Sequence, residues 1–178
     1  MTGLCDSFQR PINYLRVSVT DRCNLRCIYC MPVAGIHQMS HLDVLSYEEI
    51  RTVVTAAAEL GINKVRLTGG EPLVRLGIAT LVEMLRQVEA VDDISLTTNG
   101  TLLSRYAAEL KRAGLSRVNV SLDTLKPDRF KAITRGSSRI GDVLAGIETA
   151  RAVGLSPVKI NMVVMAGIND DEVLDFAA

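Results

Sequence analysis

The chain contains no tryptophan, four tyrosines and three phenylalanines. That scarcity leaves no aromatic platform for stacking nucleic-acid bases. An excess of charge is also missing. Lys and Arg number 20 and Asp and Glu number 20, which argues against broad affinity for nucleic acid or for an anionic membrane. No apolar run reaches the length that spans a bilayer. The opening Met1-Thr2-Gly3-Leu4-Cys5-Asp6 lacks the basic-then-apolar layout of a secretion signal. The expected compartment is therefore the cytoplasm, where structural disulfides are rare. Cysteine itself is scarce, with four in the chain and none after Cys30. The 178 residues are 48% hydrophobic, enough for one domain with a substantial core.

Three of those cysteines share one short loop, Cys23-Asn24-Leu25-Arg26-Cys27-Ile28-Tyr29-Cys30. Three thiolates at this spacing can hold three irons of a four-iron cubane and leave the fourth iron without a protein ligand. Iron–sulfur clusters usually take four cysteines, so the missing ligand marks an open iron. The small molecule that binds such an iron in radical chemistry is S-adenosylmethionine. A structural zinc site would want four closed ligands, and Cys5 stands alone upstream. A redox dithiol of Cys27 and Cys30 would leave Cys23 idle. The cluster is the reading that uses all three.

A punctuation recurs three times, at Gly61-Ile62-Asn63-Lys64-Val65, Gly114-Leu115-Ser116-Arg117-Val118 and Gly154-Leu155-Ser156-Pro157-Val158. Each copy follows an amphipathic segment and precedes a β-branched run, so it reads as helix, glycine stop, strand. Ser46 and Glu49 form a capping box, with Ile50, Val53, Val54, Ala57 and Leu60 on one helical face. Leu81 to Val88, Leu103 to Leu110 and Val143 to Ala150 mark three further helices. Strands are expected at Leu15–Thr20, Lys64–Thr68, Ile94–Thr98, Arg117–Leu122 and Val158–Val164. The alternation predicts an α/β fold with a parallel sheet and right-handed crossovers. In such folds ligands sit at the carboxyl ends of the strands. The unusual residues follow the strands at that end: the cysteine loop, Thr68-Gly69-Gly70-Glu71-Pro72, Thr97-Thr98-Asn99-Gly100 and Ser121-Leu122-Asp123.

The cysteine loop and Gly69-Gly70-Glu71-Pro72 resemble the signatures of the radical S-adenosylmethionine (radical SAM) superfamily. The contexts around Arg16, Arg66 and Lys159 resemble one family within it, the GTP 3′,8-cyclases of molybdenum cofactor biosynthesis. The resemblance runs from about Pro11 to Phe176. It implies a partial (βα) TIM-type barrel and a [4Fe–4S] cluster on Cys23, Cys27 and Cys30. It also implies S-adenosylmethionine near Tyr29, Gly70 and Ser121, and GTP facing Arg16, Arg66, Thr97 and Lys159. Guanidinium forks and an ammonium suit phosphate oxygens. The implied chemistry takes the C3′ hydrogen of GTP with a 5′-deoxyadenosyl radical. The C3′ radical then attacks C8 to give 3′,8-cyclo-7,8-dihydroguanosine 5′-triphosphate. An electron donor is required, and a homodimer is a possible form. No residue of the sequence stands out as a general base. An ordinary structural reading remains for Arg66, which could pair with Glu71.

The chain departs from that family after the fifth strand. The sixth barrel unit and the C-terminal second cluster that holds guanine have no counterpart before Ala178. The expectation is one incomplete radical SAM core domain over residues 1–178. Such a domain would cleave S-adenosylmethionine weakly at most, would not cyclise GTP appreciably and would tend to self-associate. The alternatives are another radical SAM enzyme, such as a peptide-modifying one, and a catalytically silent interaction module.

Overall fold

The computed structural model describes residues 3–136 and 138–177. Met1, Thr2 and Ala178, on which part of the reading of the chain ends rests, lie outside the described residues. Five strands, β1 (Tyr14–Ser18), β2 (Lys64–Thr68), β3 (Asp93–Thr98), β4 (Arg117–Ser121) and β5 (Val158–Asn161), form one parallel sheet in sequence order. Helices α1 (Tyr47–Glu59), α2 (Ile78–Arg86), α3 (Leu103–Ala113), α4 (Pro127–Thr134) and α5 (Ile140–Ala152) connect them, and α6 (Val173–Ala177) follows β5. The sheet is open, with β1 and β5 at its edges. Helices α1, α2, α3 and α5 share one core with the sheet, because period-2 strands offer one apolar row to them. Val65, Leu67, Ile94, Leu96, Val118 and Val120 make that row, and each has no exposed surface.

The three glycine stops adopt positive φ, at 98° for Gly61, 104° for Gly114 and 79° for Gly154. Helix α1 begins with the expected capping box, in which Ser46 Oγ accepts from the Glu49 amide and Glu49 Oε2 accepts from the Ser46 amide. Its buried stripe is narrower than expected. Ile50 and Val54 are buried, whereas Val53 is 51% exposed and Leu60 is 55% exposed. Helix α3 packs closely on α5.

Strand β1 ends at Ser18 and not at Thr20. Thr20 Oγ1 instead accepts from the Arg22 amide at 3.1 Å as the chain turns into the cysteine loop. Two further elements differ from expectation. Strand β5 stops at Asn161 and not at Val164. The Val163 amide is taken by Asp123 Oδ1 at 2.9 Å, and its carbonyl accepts from Asn169 Nδ2 at 2.9 Å. Those groups are thereby removed from the β ladder, and the chain turns off the sheet. Helix α4 has no counterpart among the expected elements. Pro127 occupies its first turn, Asp128 follows, and Phe130, Ile133 and Thr134 are buried. Proline is tolerated there, since the first helical amides lack partners anyway.

Candidate active site

The carboxyl ends of β1 to β4 deliver one cluster of loops. The cysteine loop leaves β1 and docks on the end of α4. The Arg26 amide donates to the Thr134 carbonyl at 2.8 Å and the Ile28 amide to the Ile133 carbonyl at 2.9 Å. The Cys27 carbonyl accepts from the amides of Cys30 (2.9 Å) and Met31 (3.0 Å), so Cys27 to Cys30 is a tight turn. All three cysteines are free; Cys23 and Cys27 are half-buried and Cys30 is exposed. Cys23 Sγ receives the Leu25 amide at 3.4 Å and Asn99 Nδ2 at 3.8 Å. Burial raises the Cys23 thiol. Burial, reinforced by the Asp123 charge and the other two cysteines, pushes Cys27 up to about 11. Such thiols stay protonated until a cation meets them, whereupon a coordinating thiol is deprotonated outright.

No group of three or more His, Cys, Asp or Glu among the described residues is gathered tightly enough for a single metal ion. A four-iron cubane takes each thiolate on a different iron, so it needs a wider triangle than one ion does. Three soft donors on one short loop, free of disulfides, match that cluster in chemistry and number.

The loops around the cysteines are cross-tied by side chains. Asn99 Nδ2 donates to Asn24 Oδ1 at 2.8 Å, and Asn24 Nδ2 donates to Thr101 Oγ1 at 2.8 Å. Glu71, 1% exposed, accepts from the Leu73 amide (3.0 Å), Thr98 Oγ1 (2.7 Å) and the Asn99 amide (2.6 Å). Burial pushes its carboxyl up, and those three hydrogen bonds oppose the shift. Glu71 is therefore committed to the β3 turn and does not pair with Arg66. Gly70 lies against the cysteine loop. A Cβ there would come within 2.6 Å of the Arg22 carbonyl carbon and 2.7 Å of the Asp21 carbonyl oxygen. This approach to the loop backbone by itself requires glycine at position 70.

Tyr29 Oη donates to Asp123 Oδ2 at 2.7 Å, which joins the turn between two cysteines to the end of β4. Burial first, then Asp123, raises the Tyr29 phenol far above its ordinary value. Asp123 in turn holds Val163, and Asn169, with no exposed surface, donates to the Asp123 carbonyl at 2.7 Å. Ser121, Tyr29, Cys27 and Asn99 line one small cavity.

The sheet face away from the helices is polar. Register aligns Arg16 with Arg66, Ser95 and Arg117 across β1 to β4, and Thr97 with Asn119 and Lys159 across β3 to β5. Arg66 Nε donates to Ser95 Oγ at 3.3 Å, and its guanidinium lies 5.2 Å from the Tyr14 ring centre. Arg117 is neutralised by Asp93 at 2.5 Å. Among the described residues, no carboxylate lies within ion-pair distance of Arg16, Arg66 or Lys159. Arg16 and Lys159 are exposed and Arg66 and Thr97 are half-buried. Asn119 is 3% exposed, and its Oδ1 has no hydrogen-bond partner among the described residues.

The sequence profile of the radical SAM superfamily matches residues 17–178. The chain belongs to the radical SAM superfamily. Membership implies a [4Fe–4S] cluster and S-adenosylmethionine as cofactors. Among curated proteins, the GTP 3′,8-cyclase of Heliobacterium modesticaldum is 59% identical over 174 residues, 98% of this chain and 53% of that protein. The GTP 3′,8-cyclase of Peptoclostridium acidaminophilum is 58% identical over 98% of this chain and 54% of its own length. The chain thus spans about half the length of the curated relatives it matches. Streptococcus suis SuiB bound to S-adenosylmethionine superposes with a TM-score of 0.73 at 19% identity, over 93% of this chain and 37% of that one. The anSMEcpe structure with bound AdoMet gives 0.66 at 20% identity, over 94% and 49%. At these identities the two structures establish the partial radical SAM barrel fold. No helix among the described residues is long and apolar enough to cross a membrane.

Several residues of this radical SAM site are not visible to sequence reading as individuals. Asn24, Asn99 and Asp123 stand inside motifs that give them no partner, and Glu71 has a different partner from the Arg66 that sequence suggests. Each acts through a contact far along the chain, such as Asn24 with Asn99, which no local pattern announces.

Proposed function

We propose that this chain is the cluster-bearing part of a GTP 3′,8-cyclase of molybdenum cofactor biosynthesis. The observation that carries the reading is the polar sheet face. Three cations on three strands, Arg16, Arg66 and Lys159, lack carboxylate partners among the described residues. Cations without carboxylate partners on one sheet face invite a polyanion. Identity of 54–59% to proteins named GTP 3′,8-cyclase supports a nucleoside triphosphate over other anions.

In this reading Cys23, Cys27 and Cys30 hold the cluster as thiolates. Tyr29, held by Asp123, Gly70 and Ser121 surround S-adenosylmethionine. Arg16, Arg66 and Lys159 bind the triphosphate, and Thr97 hydrogen-bonds the nucleotide beside Lys159. When bound, the cluster and S-adenosylmethionine supply a hydrogen-atom abstractor made by one-electron cleavage of the sulfonium. The chain's own cations anchor the triphosphate so that the ribose C3′ hydrogen faces the cysteine loop. The electron comes from an external donor, and free thiols together with an oxygen-labile cluster suit the cytoplasm.

The test is GTP binding by calorimetry, with an anaerobic assay that reads 5′-deoxyadenosine and the cyclised nucleotide separately. Replacing Arg66 or Lys159 by Ala should weaken GTP binding by about 1.5–3 kcal/mol, the worth of a charged hydrogen bond. Unchanged affinity in both variants would favour a different radical SAM substrate.

A further inference from the structure

Arg135 is one of two non-glycine residues with positive φ among the described residues, at φ 46° and ψ 25°. Glycine takes this left-handed conformation at far lower cost. The position follows α4 directly, and the side chain turns back onto the cysteine loop. Its Nε donates to the Arg26 carbonyl at 2.8 Å, and its Nη2 donates to the carbonyls of Cys27 (3.5 Å) and Met31. The loop answers in the other direction. Its Arg26 and Ile28 amides donate to the Thr134 and Ile133 carbonyls, which the helix end leaves without partners. Gly136 follows, where a Cβ would meet Leu25 Cδ2 at 2.8 Å. The contact is thus a two-way exchange of hydrogen bonds between the end of α4 and the segment Arg26–Met31.

We propose that Arg135 is a positioning residue that sets the shape of the cysteine loop before any cluster binds. The carbonyls it holds flank both ends of the Cys27–Cys30 turn, so their orientation fixes where those two thiols point. A planar guanidinium can serve three carbonyls at once, and the single ammonium of lysine cannot. The strained backbone at residue 135 is kept because the side chain has to reach back. The inference rests on the reading that Cys23, Cys27 and Cys30 carry the cluster, but its first readout needs no cluster.

The experiment compares Arg135→Gly and Arg135→Lys with the unmodified chain. Glycine suits the backbone there and removes the guanidinium; lysine keeps a charge and loses the fork. Three quantities are read: the urea midpoint, amide exchange at Arg26 and Ile28 in cluster-free protein, and the rate at which a chelator strips iron after anaerobic reconstitution. In Arg135→Gly the midpoint should hold, while exchange at Arg26 and Ile28 and iron loss each accelerate at least tenfold. Arg135→Lys should resemble the glycine variant more than the unmodified protein. Unchanged exchange and iron loss in Arg135→Gly would overturn the proposal. So would a fall in midpoint with faster exchange throughout the sheet, or failure of Arg135→Gly to fold, since Arg135 would then hold the whole fold. Unmodified protein that takes up no iron would instead sink the cluster assignment and leave the exchange result standing.

Discussion

Val65, Leu67, Ile94, Leu96, Val118 and Val120 face the helices and are fully buried. Arg66, Ser95, Thr97 and Asn119 alternate with them along the same strands and face the other way. The two rows obey different rules. The helix-facing row is chosen for volume and apolarity. The opposite row holds cations and amides that a fold alone does not ask for, and the buried Oδ1 of Asn119 goes without a partner among the described residues. Substitutions in the two rows should therefore fail in different ways. Leu67→Ala or Leu96→Ala should cost about 2–5 kcal/mol by urea unfolding, from lost transfer energy and the cavity left behind. A cost below about 1 kcal/mol would mean that this row is not the core.

Next in size is Glu71, which ties the turn after β2 to the end of β3. Its carboxylate receives three donors. In Glu71→Gln the amide nitrogen must face at least one of them, so a loss of about 1–3 kcal/mol is expected. The pH dependence has a definite sign. Burial raises the folded carboxyl above its ordinary 4.5, so Glu71's contribution is fullest below that value. It diminishes as pH rises through the folded-state pKa, and Glu71→Gln should flatten that slope.

Much of this contrast was legible in the residues. Glycine stops, the Ser46–Glu49 box and the β-branched runs specified the five strands, their parallel pairing and the crossover helices other than α4. Helix α4 lacks a side-chain cap and is only eight residues long, so its periodicity is faint beside its proline. The end of β5 was misplaced because the apolar run continues through Met162, Val163 and Val164. The groups that divert the backbone, Asp123 and Asn169, lie far off in sequence or beyond the strand. The cysteine spacing announced a metal centre. What holds the loop in place, Asn99 on one side and the α4 end on the other, depends on tertiary contacts that spacing cannot express.

A smaller effect is expected where α6 begins. Lys126 and Arg129 pair with Asp171, whose carboxyl they lower to about 2. Burial acts to raise Glu172 beside it, but hydrogen bonds from Thr124, the Leu125 amide and Arg129 outweigh this and hold it below its usual range. For both, the stabilisation is present above the ordinary carboxylate value and is lost as pH falls through the lowered one. Amide protection over residues 170–177 should therefore survive at about pH 5 and fade toward about pH 2, and Asp171→Asn should remove part of that dependence. The smallest expected change is the stability of Arg16→Ala. Arg16 is exposed and unpaired among the described residues, so its loss should move stability in urea by less than about 0.5 kcal/mol while still weakening GTP binding.

Whether Cys23, Cys27 and Cys30 carry a four-iron cluster with one open iron is tested most directly by electron paramagnetic resonance of the reduced, anaerobically reconstituted protein with and without S-adenosylmethionine. About four irons per chain are expected, with a spectrum that shifts on addition of S-adenosylmethionine, is retained in Cys5→Ala and is absent when the three loop cysteines are replaced by Ala. A four-iron spectrum indifferent to S-adenosylmethionine, or one lost on Cys5→Ala alone, would contradict it.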